Sequence, residues 1–145
     1  DLRFDFYIKN DRHVLLSDYA HHPNEIYHSA RSIRQLYQNR KITAIFQPHL
    51  YTRTRDFYKE FADALSQLDE VILCDIYPAR EEPIPGVTSK LIYDNLKEGV
   101  EKSLISKDDV IGLVKERDFD VLIVLGAGDL DNQVPQIANI IEAKQ

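Results

Sequence analysis

Val121-Leu122-Ile123-Val124-Leu125 is an unbroken run of five large aliphatic residues, and Gly126-Ala127-Gly128 follows it at once. A strand with one face in water alternates apolar and polar positions. A run with no polar position predicts a strand buried on both faces, as in a parallel sheet covered by helices. Two further segments carry the same signature, Ile42-Thr43-Ala44-Ile45-Phe46 and Val71-Ile72-Leu73-Cys74. Helical spacing fills the intervals between them. Ile26, Ala30, Ile33 and Leu36 follow Pro23, which suits the first helical position, and Glu25, which suits the first turn. Phe57, Phe61, Ala64, Leu65 and Leu68 mark a second helical face behind Thr54, a candidate N-cap.

Working outward to the ends, Phe4, Phe6 and Ile8 alternate as in a half-buried strand. Lys9-Asn10-Asp11-Arg12 is a polar turn, and Val14-Leu15-Leu16 opens a second strand running to about Asp18. Beyond the proline-rich loop from Pro78 to Gly86, helices are predicted over Ser89–Lys97, Asp108–Arg117 and Val134–Glu142, with a short strand near Leu104-Ile105. The order is strand and helix in alternation after an opening hairpin. It predicts an α/β, doubly wound (Rossmann-like), mostly parallel sheet with the N-terminal hairpin contributing one antiparallel edge strand. Residues 1–145 make one domain.

Apolar residues are 43% of the chain, charged residues 29%, and the formal net charge is −6. An acidic chain without a basic patch is not expected to bind nucleic acid. No apolar run reaches the length of a bilayer span. The single cysteine, Cys74, excludes an internal disulfide framework and suits a reducing, cytoplasmic setting. The chain begins on Asp1 and contains no methionine, so it is expected to be a piece of a longer protein.

In open parallel sheets, ligands bind at the carboxyl ends of the strands. Those ends are followed here by Asp18-Tyr19-Ala20-His21-His22-Pro23, by Gln47-Pro48-His49-Leu50-Tyr51-Thr52-Arg53, by Asp75-Ile76-Tyr77-Pro78 and by Gly126-Ala127-Gly128-Asp129. Gly126-Ala127-Gly128 lacks the third glycine of a dinucleotide fingerprint, and Asp129 and Asp131 would repel a pyrophosphate. A tight turn needing positive φ is the plainer reading. No metal site is expected, because adjacent histidines on an extended segment point apart and only one of His21 and His22 would join His49. Cys74 reads as a core residue. The chain carries no G-x-x-x-x-G-K-[ST] phosphate loop, so ATP chemistry would need one from elsewhere.

These edge segments resemble the Mur ligase family, in the branch that adds L-alanine to UDP-N-acetylmuramate. Asp18 to Pro23 is similar to its D-Y-[GA]-H-H-P signature. Phe46-Gln47-Pro48-His49 with Tyr51-Thr52-Arg53-Thr54 is similar to F-Q-P-H-x-[YF]-[TS]-R-T. Asp75 to Glu81 is similar to D-[VI]-Y-P-A-x-E, Gly126-Ala127-Gly128 to the G-A-G turn, and Arg3-Phe4 to the end of R-R-F. The resemblance implies the C-terminal domain of a three-domain, ATP-dependent ligase of bacterial peptidoglycan precursor synthesis. The UDP-sugar domain, and the central domain with the phosphate loop and Mg²⁺ ligands, lie outside this chain. The implied reaction forms an acyl phosphate with ATP, which the amine of L-alanine then attacks.

By the same resemblance Arg3 reaches the ATP phosphates and Asp18 accepts ribose hydroxyls. Tyr19, His21, His49 and Arg53 surround the incoming L-alanine. No metal ligand and no residue catalytic in this domain alone are expected. Leu2 and Leu50 stand where the family often has arginine. Two alternatives remain at this level: the related ligase that recycles a tripeptide onto UDP-N-acetylmuramate, and a non-catalytic nucleotide-binding α/β module.

Overall fold

The structure, a computed structural model, describes residues 4–145. Its sheet is built from β1 (Asp5–Lys9), β2 (Val14–Asp18), β3 (Ile42–Phe46), β4 (Glu70–Leu73), β5 (Glu101–Leu104) and β6 (Val121–Leu125). They lie in the order β1-β2-β6-β3-β4-β5. β1 pairs antiparallel with β2, and every other pairing is parallel. The helices are α1 (Pro23–Leu36), α2 (Tyr51–Leu65), α3 (Lys90–Asn95), α4 (Val110–Glu116) and α5 (Val134–Glu142). This is the predicted doubly wound class, with the hairpin at one edge.

The aliphatic runs are buried on both faces because helices cover both. Leu16, Phe46 and Ile123 meet Ile26 and Ile33 of α1 and Phe61 and Leu65 of α2. On the other side Leu15, Ile45 and Leu122 meet Val110 and Val114 of α4 and Val134 and Ile137 of α5. Every residue of β2, β3 and β6 is buried. The chain builds outward from β3 to β5, then returns through α4 to insert β6 between β2 and β3. That insertion brings the ends of β2, β3 and β6 side by side, stitched by Gly126 N–H to Asp18 O (3.2 Å) and Gln47 N–H to Leu125 O (3.2 Å).

Several local expectations are corrected. Phe6 and Ile8 do not share a face, because a bulge between them pairs Phe6 with Leu16 but Ile8 with Leu15. Phe6 is left exposed while Ile8 is buried. Leu36 and Phe57 are exposed rather than core-facing. At Phe57 the helix is kinked, with φ −129° and ψ 16°, which turns its side chain off the predicted face. Thr54 is not an N-cap. The helix starts at Tyr51, and the Thr54 hydroxyl donates back to Leu50 O at 2.9 Å.

β4 begins one residue early, on Glu70, a carboxylate inside the sheet. Arg117 makes this tolerable by donating to both Glu70 oxygens (2.8 and 3.0 Å), with the Thr43 hydroxyl adding a third bond at 3.1 Å. The hydrogen bonds from Arg117 hold the Glu70 carboxyl below its usual range, against the opposing effect of burial, with Thr43 and Lys41 assisting. A depressed native pKa means that the unfolded chain binds the proton first as pH falls. The stabilisation is therefore complete above the unfolded carboxyl value of about 4.3 and fades as pH falls through the lower native value. Arg117→Ala should cost about 2 kcal/mol at pH 7, less near pH 3, in urea unfolding. A pH-independent loss would show that Glu70 is not the linked group.

Candidate functional site

The site grows from the loops after β2, β3 and β4. Asp18 ends β2 and is buried, 4% exposed. One of its oxygens accepts from Ala20 N–H (3.0 Å) and the other from the Ser29 hydroxyl, which ties the turn to α1. Tyr19 is thereby turned outward and is 51% exposed. His21 and His22 then enter α1. One Glu25 oxygen accepts from the backbone N–H of both, at 3.1 and 3.0 Å, which satisfies donors at the helix start.

After β3, His49 forms an isolated parallel bridge with Tyr77. Leu50 N–H donates to Tyr77 O (2.9 Å), and Tyr77 N–H donates to Pro48 O (2.8 Å). Leu50 turns the chain sharply into α2 at φ 77° and ψ 136°. The start of α2 is capped from a distance by Glu81, whose carboxylate accepts from Tyr51 N–H (2.5 Å), Thr52 N–H (3.1 Å) and the Thr52 hydroxyl. The motif that follows β4 is thus a clamp on the motif that follows β3. Glu81 and Tyr77 were not among the sequence-predicted site residues; only the recurrence of Glu81 at the end of its motif hinted at a role.

The turn and the clamp bring His21, His22, His49 and Arg53 together. Ring centroids of His21 and His22 are 4.7 Å apart, those of His21 and His49 5.8 Å, and those of His49 and Tyr77 5.4 Å. The expected divergence of His21 and His22 does not occur, because the pair straddles a strand-to-helix turn rather than an extended segment. Burial first, then the Arg53 charge, pushes both His49 and His22 below the ordinary histidine value. Among the described residues, Arg53 Nη1 and His49 Nδ1 are buried with no hydrogen-bond partner. A guanidinium donor left free beside imidazoles has the chemistry to accept a small carboxylate. Arg3 lies outside the described residues.

Gly126 and Gly128 pack against Gln47, at the root of the segment that carries His49. Gly126 has φ 133°, as the tight-turn reading required, and a Cβ there would lie 2.7 Å from Gln47 O. Gly128 serves close approach instead: a Cβ would lie 2.3 Å from Gln47 Oε1 and 2.9 Å from Tyr77 Cβ. Gln47 is buried between them, accepting from Leu130 N–H (2.9 Å) and donating to Asp129 (2.9 Å). Asp129 is also paired with Lys107, so its charge is met within the fold.

Cys74 forms part of the wall of a separate cavity of about 700 Å³ lined by Tyr51, Asp75, Ser89 and Leu104. Burial, with Asp75 and Asp129 adding to it, pushes the Cys74 thiol up to about 12, so it carries no thiolate chemistry at neutral pH.

Ligand atoms of His21, His22 and Glu25 fall within 4.8 Å of one another. Glu25 is already engaged by two backbone donors, and the Arg53 charge that depresses His22 also opposes a dication. The melting temperature should therefore be unchanged by chelators; a clear drop would establish a structural metal.

Relatives of this chain match over nearly its whole length. It is 65% identical over 144 residues to the UDP-N-acetylmuramate–L-alanine ligase of Phocaeicola vulgatus, covering 99% of this chain and 31% of that protein. It is 51% identical over 139 residues to the same-named enzyme of Parabacteroides distasonis, covering 96% and 30%. The crystal structure of the UDP-N-acetylmuramate–alanine ligase of Thermotoga maritima superposes with TM-score 0.74 at 25% identity, covering 99% of this chain and 30% of that one. The chain thus spans about a third of the length of these relatives. A family model for the glutamate ligase domain of Mur ligases matches residues 2–128. On this evidence the chain belongs to the Mur ligase family, whose glutamate ligase domain it matches over most of its length.

Proposed function

We propose that this chain is the C-terminal domain of an ATP-dependent ligase that joins L-alanine to UDP-N-acetylmuramate through an acyl phosphate, in the bacterial cytoplasm. The observation that carries the reading is Arg53, whose buried Nη1 has no hydrogen-bond partner among the described residues and whose charge helps hold His49 below the ordinary histidine value. Arg53 holds the carboxylate of the amino acid, and Tyr19, His21 and His49 wall the space where its amine is presented. The family resemblance assigns Asp18 and Arg3 to the nucleotide. Each Asp18 oxygen keeps acceptor capacity for a ribose hydroxyl beyond the bond it already makes. The donor set gathered here is imidazole beside a guanidinium, which does not suit Mg²⁺, a cation that prefers oxygen ligands. That ion, and the phosphate loop, are assigned to the rest of the ligase.

The test is an ADP-release assay. The full-length ligase should release ADP only with UDP-N-acetylmuramate and L-alanine together. The isolated 145 residues should melt cooperatively yet show no activity, since one wall of a shared site cannot preorganise the reaction. Amide formation by the isolated chain would refute the assignment, as would a full-length enzyme that prefers a tripeptide.

A further inference from the structure

We infer that His21 is the proton acceptor for the attacking amine, with Glu25 stabilising the imidazolium that forms. The inference rests on the alanine-ligase reading. An amino acid at neutral pH carries an ammonium, which has no lone pair, and even a neutral amine still holds a surplus proton once it has attacked. A base must stand within reach of that nitrogen. An α-amino acid places its nitrogen two bonds from the carboxylate carbon. A substrate tethered at Arg53 therefore presents its amine to the surrounding imidazoles.

Three histidines are candidates, and the geometry separates them. His21 Nδ1 lies 3.1 Å from the backbone oxygen of Tyr19. A carbonyl can only accept, so Nδ1 carries the hydrogen and Nε2 carries the lone pair. The tautomer is fixed with its basic nitrogen away from the backbone. Behind the same Nδ1, 3.6 Å away, stands Glu25 Oε1. Burial would raise the Glu25 carboxyl, but the backbone N–H groups of His22 and His21, together with both imidazoles, hold it below its usual range. Glu25 is therefore an anion placed to stabilise a positive His21, the division of roles seen wherever a carboxylate orients a catalytic imidazole. His49 and His22 have the opposite surroundings. Arg53 disfavours a proton on either of them, and only the more distant Glu81 (for His49) or the shared Glu25 (for His22) opposes it. The ring of His21 is 30% exposed, so a substrate can reach it.

The step balances as follows. The ammonium first loses one proton to solvent; the amine nitrogen then attacks the carbonyl carbon of the acyl phosphate and a C–N bond forms. A proton passes from that nitrogen to His21 Nε2. The C–O bond to phosphate breaks and phosphate leaves with the electron pair. The His21 imidazolium then returns its proton to solvent. The groups around His21 are Glu25 and His22 at the start of α1, His49 in the loop after β3 and Arg53 of α2, and the pH profile reports the titratable ones jointly in the field of the Arg53 charge.

The experiment uses the full-length ligase with His21→Asn and Glu25→Gln. His21→Asn should lower kcat for amide formation by about 10²- to 10⁴-fold with little change in the KM for alanine. Hydroxylamine, unprotonated at neutral pH, captures acyl phosphates without an enzymic base. Its rate of trapping the intermediate should be the same in His21→Asn and the parent enzyme. Glu25→Gln keeps the acceptor that caps α1, and should lower kcat less while moving the acidic limb of the pH profile to lower pH, because the imidazolium loses its anionic neighbour. Equal losses with alanine and hydroxylamine, or an effect confined to KM, would overturn the inference while leaving the ligase reading intact. Absence of alanine-dependent ADP release in the parent enzyme would remove both.

Discussion

Arg53→Ala in the full-length ligase is expected to lower kcat/KM for L-alanine about 10- to 150-fold, the equivalent of losing one hydrogen-bonded charge partner worth roughly 1.5–3 kcal/mol. The guanidinium offers paired donors in one plane, which matches a carboxylate, whereas an ammonium offers a point charge. Arg53→Lys should therefore recover only part of the loss. The buried Nη1 lacks a protein partner among the described residues, so the substitution removes a donor available to a ligand rather than one already used in the fold. Leu50 supplies no second cation from the same motif. Arg55, two residues beyond Arg53, is exposed and paired with Asp56 at 2.8 Å. The loss should fall on alanine rather than on ATP or the UDP-sugar. An unchanged alanine dependence in a folded variant would reduce Arg53 to a cation at a helix start.

The second large effect is expected at a residue with no side chain to offer a ligand. Gly126→Ala should destabilise the domain by about 3 kcal/mol, a fall in melting temperature of roughly 10 °C. Two costs combine. The backbone there has φ 133°, which an L side chain rarely adopts, and the added Cβ would meet the backbone oxygen of Gln47 at 2.7 Å. That oxygen cannot swing aside like a side-chain tip, because Gln47 N–H is bonded to Leu125 O and its own side chain is held by Leu130 and Asp129. Relief must come from moving the segment that carries His49, so the variant should also lose alanine affinity. Thermal denaturation of the isolated domain tests the first part; a shift below about 1 °C would mean the turn relaxes without the clash.

The layered fold was legible because its cause is local. Residues 42–46, 71–74 and 121–125 have few polar positions or none, and a strand of that kind has one stable environment, between two layers of helices. The positions of the edge segments followed from the same reasoning, since parallel strands put all their carboxyl ends on one side. What local pattern could not contain was any feature created by a distant partner. Glu70 entered β4 because Arg117, 47 residues on, neutralises it. α2 began at Tyr51 rather than after Thr54 because Glu81 caps it across 30 residues. The bulge that separates Phe6 from Ile8 is likewise a property of pairing with β2.

For the site, the sequence by itself determined which residue types lie at the sheet edge, and its motifs resembled those of one family. Only the tertiary structure decided which of them meet. β6 inserts between β2 and β3, which brings the loop with His21 against the loop with His49 and Arg53. The bonds that tie the buried Asp18 carboxylate to Ala20 and to Ser29 of α1 turn Tyr19 outward. The state of the histidines is also a tertiary property. Burial, first, and then the Arg53 charge four residues on push His49 below the ordinary histidine value; the Arg53 spacing is written in the motif, but the burial and the approach of His21 are not.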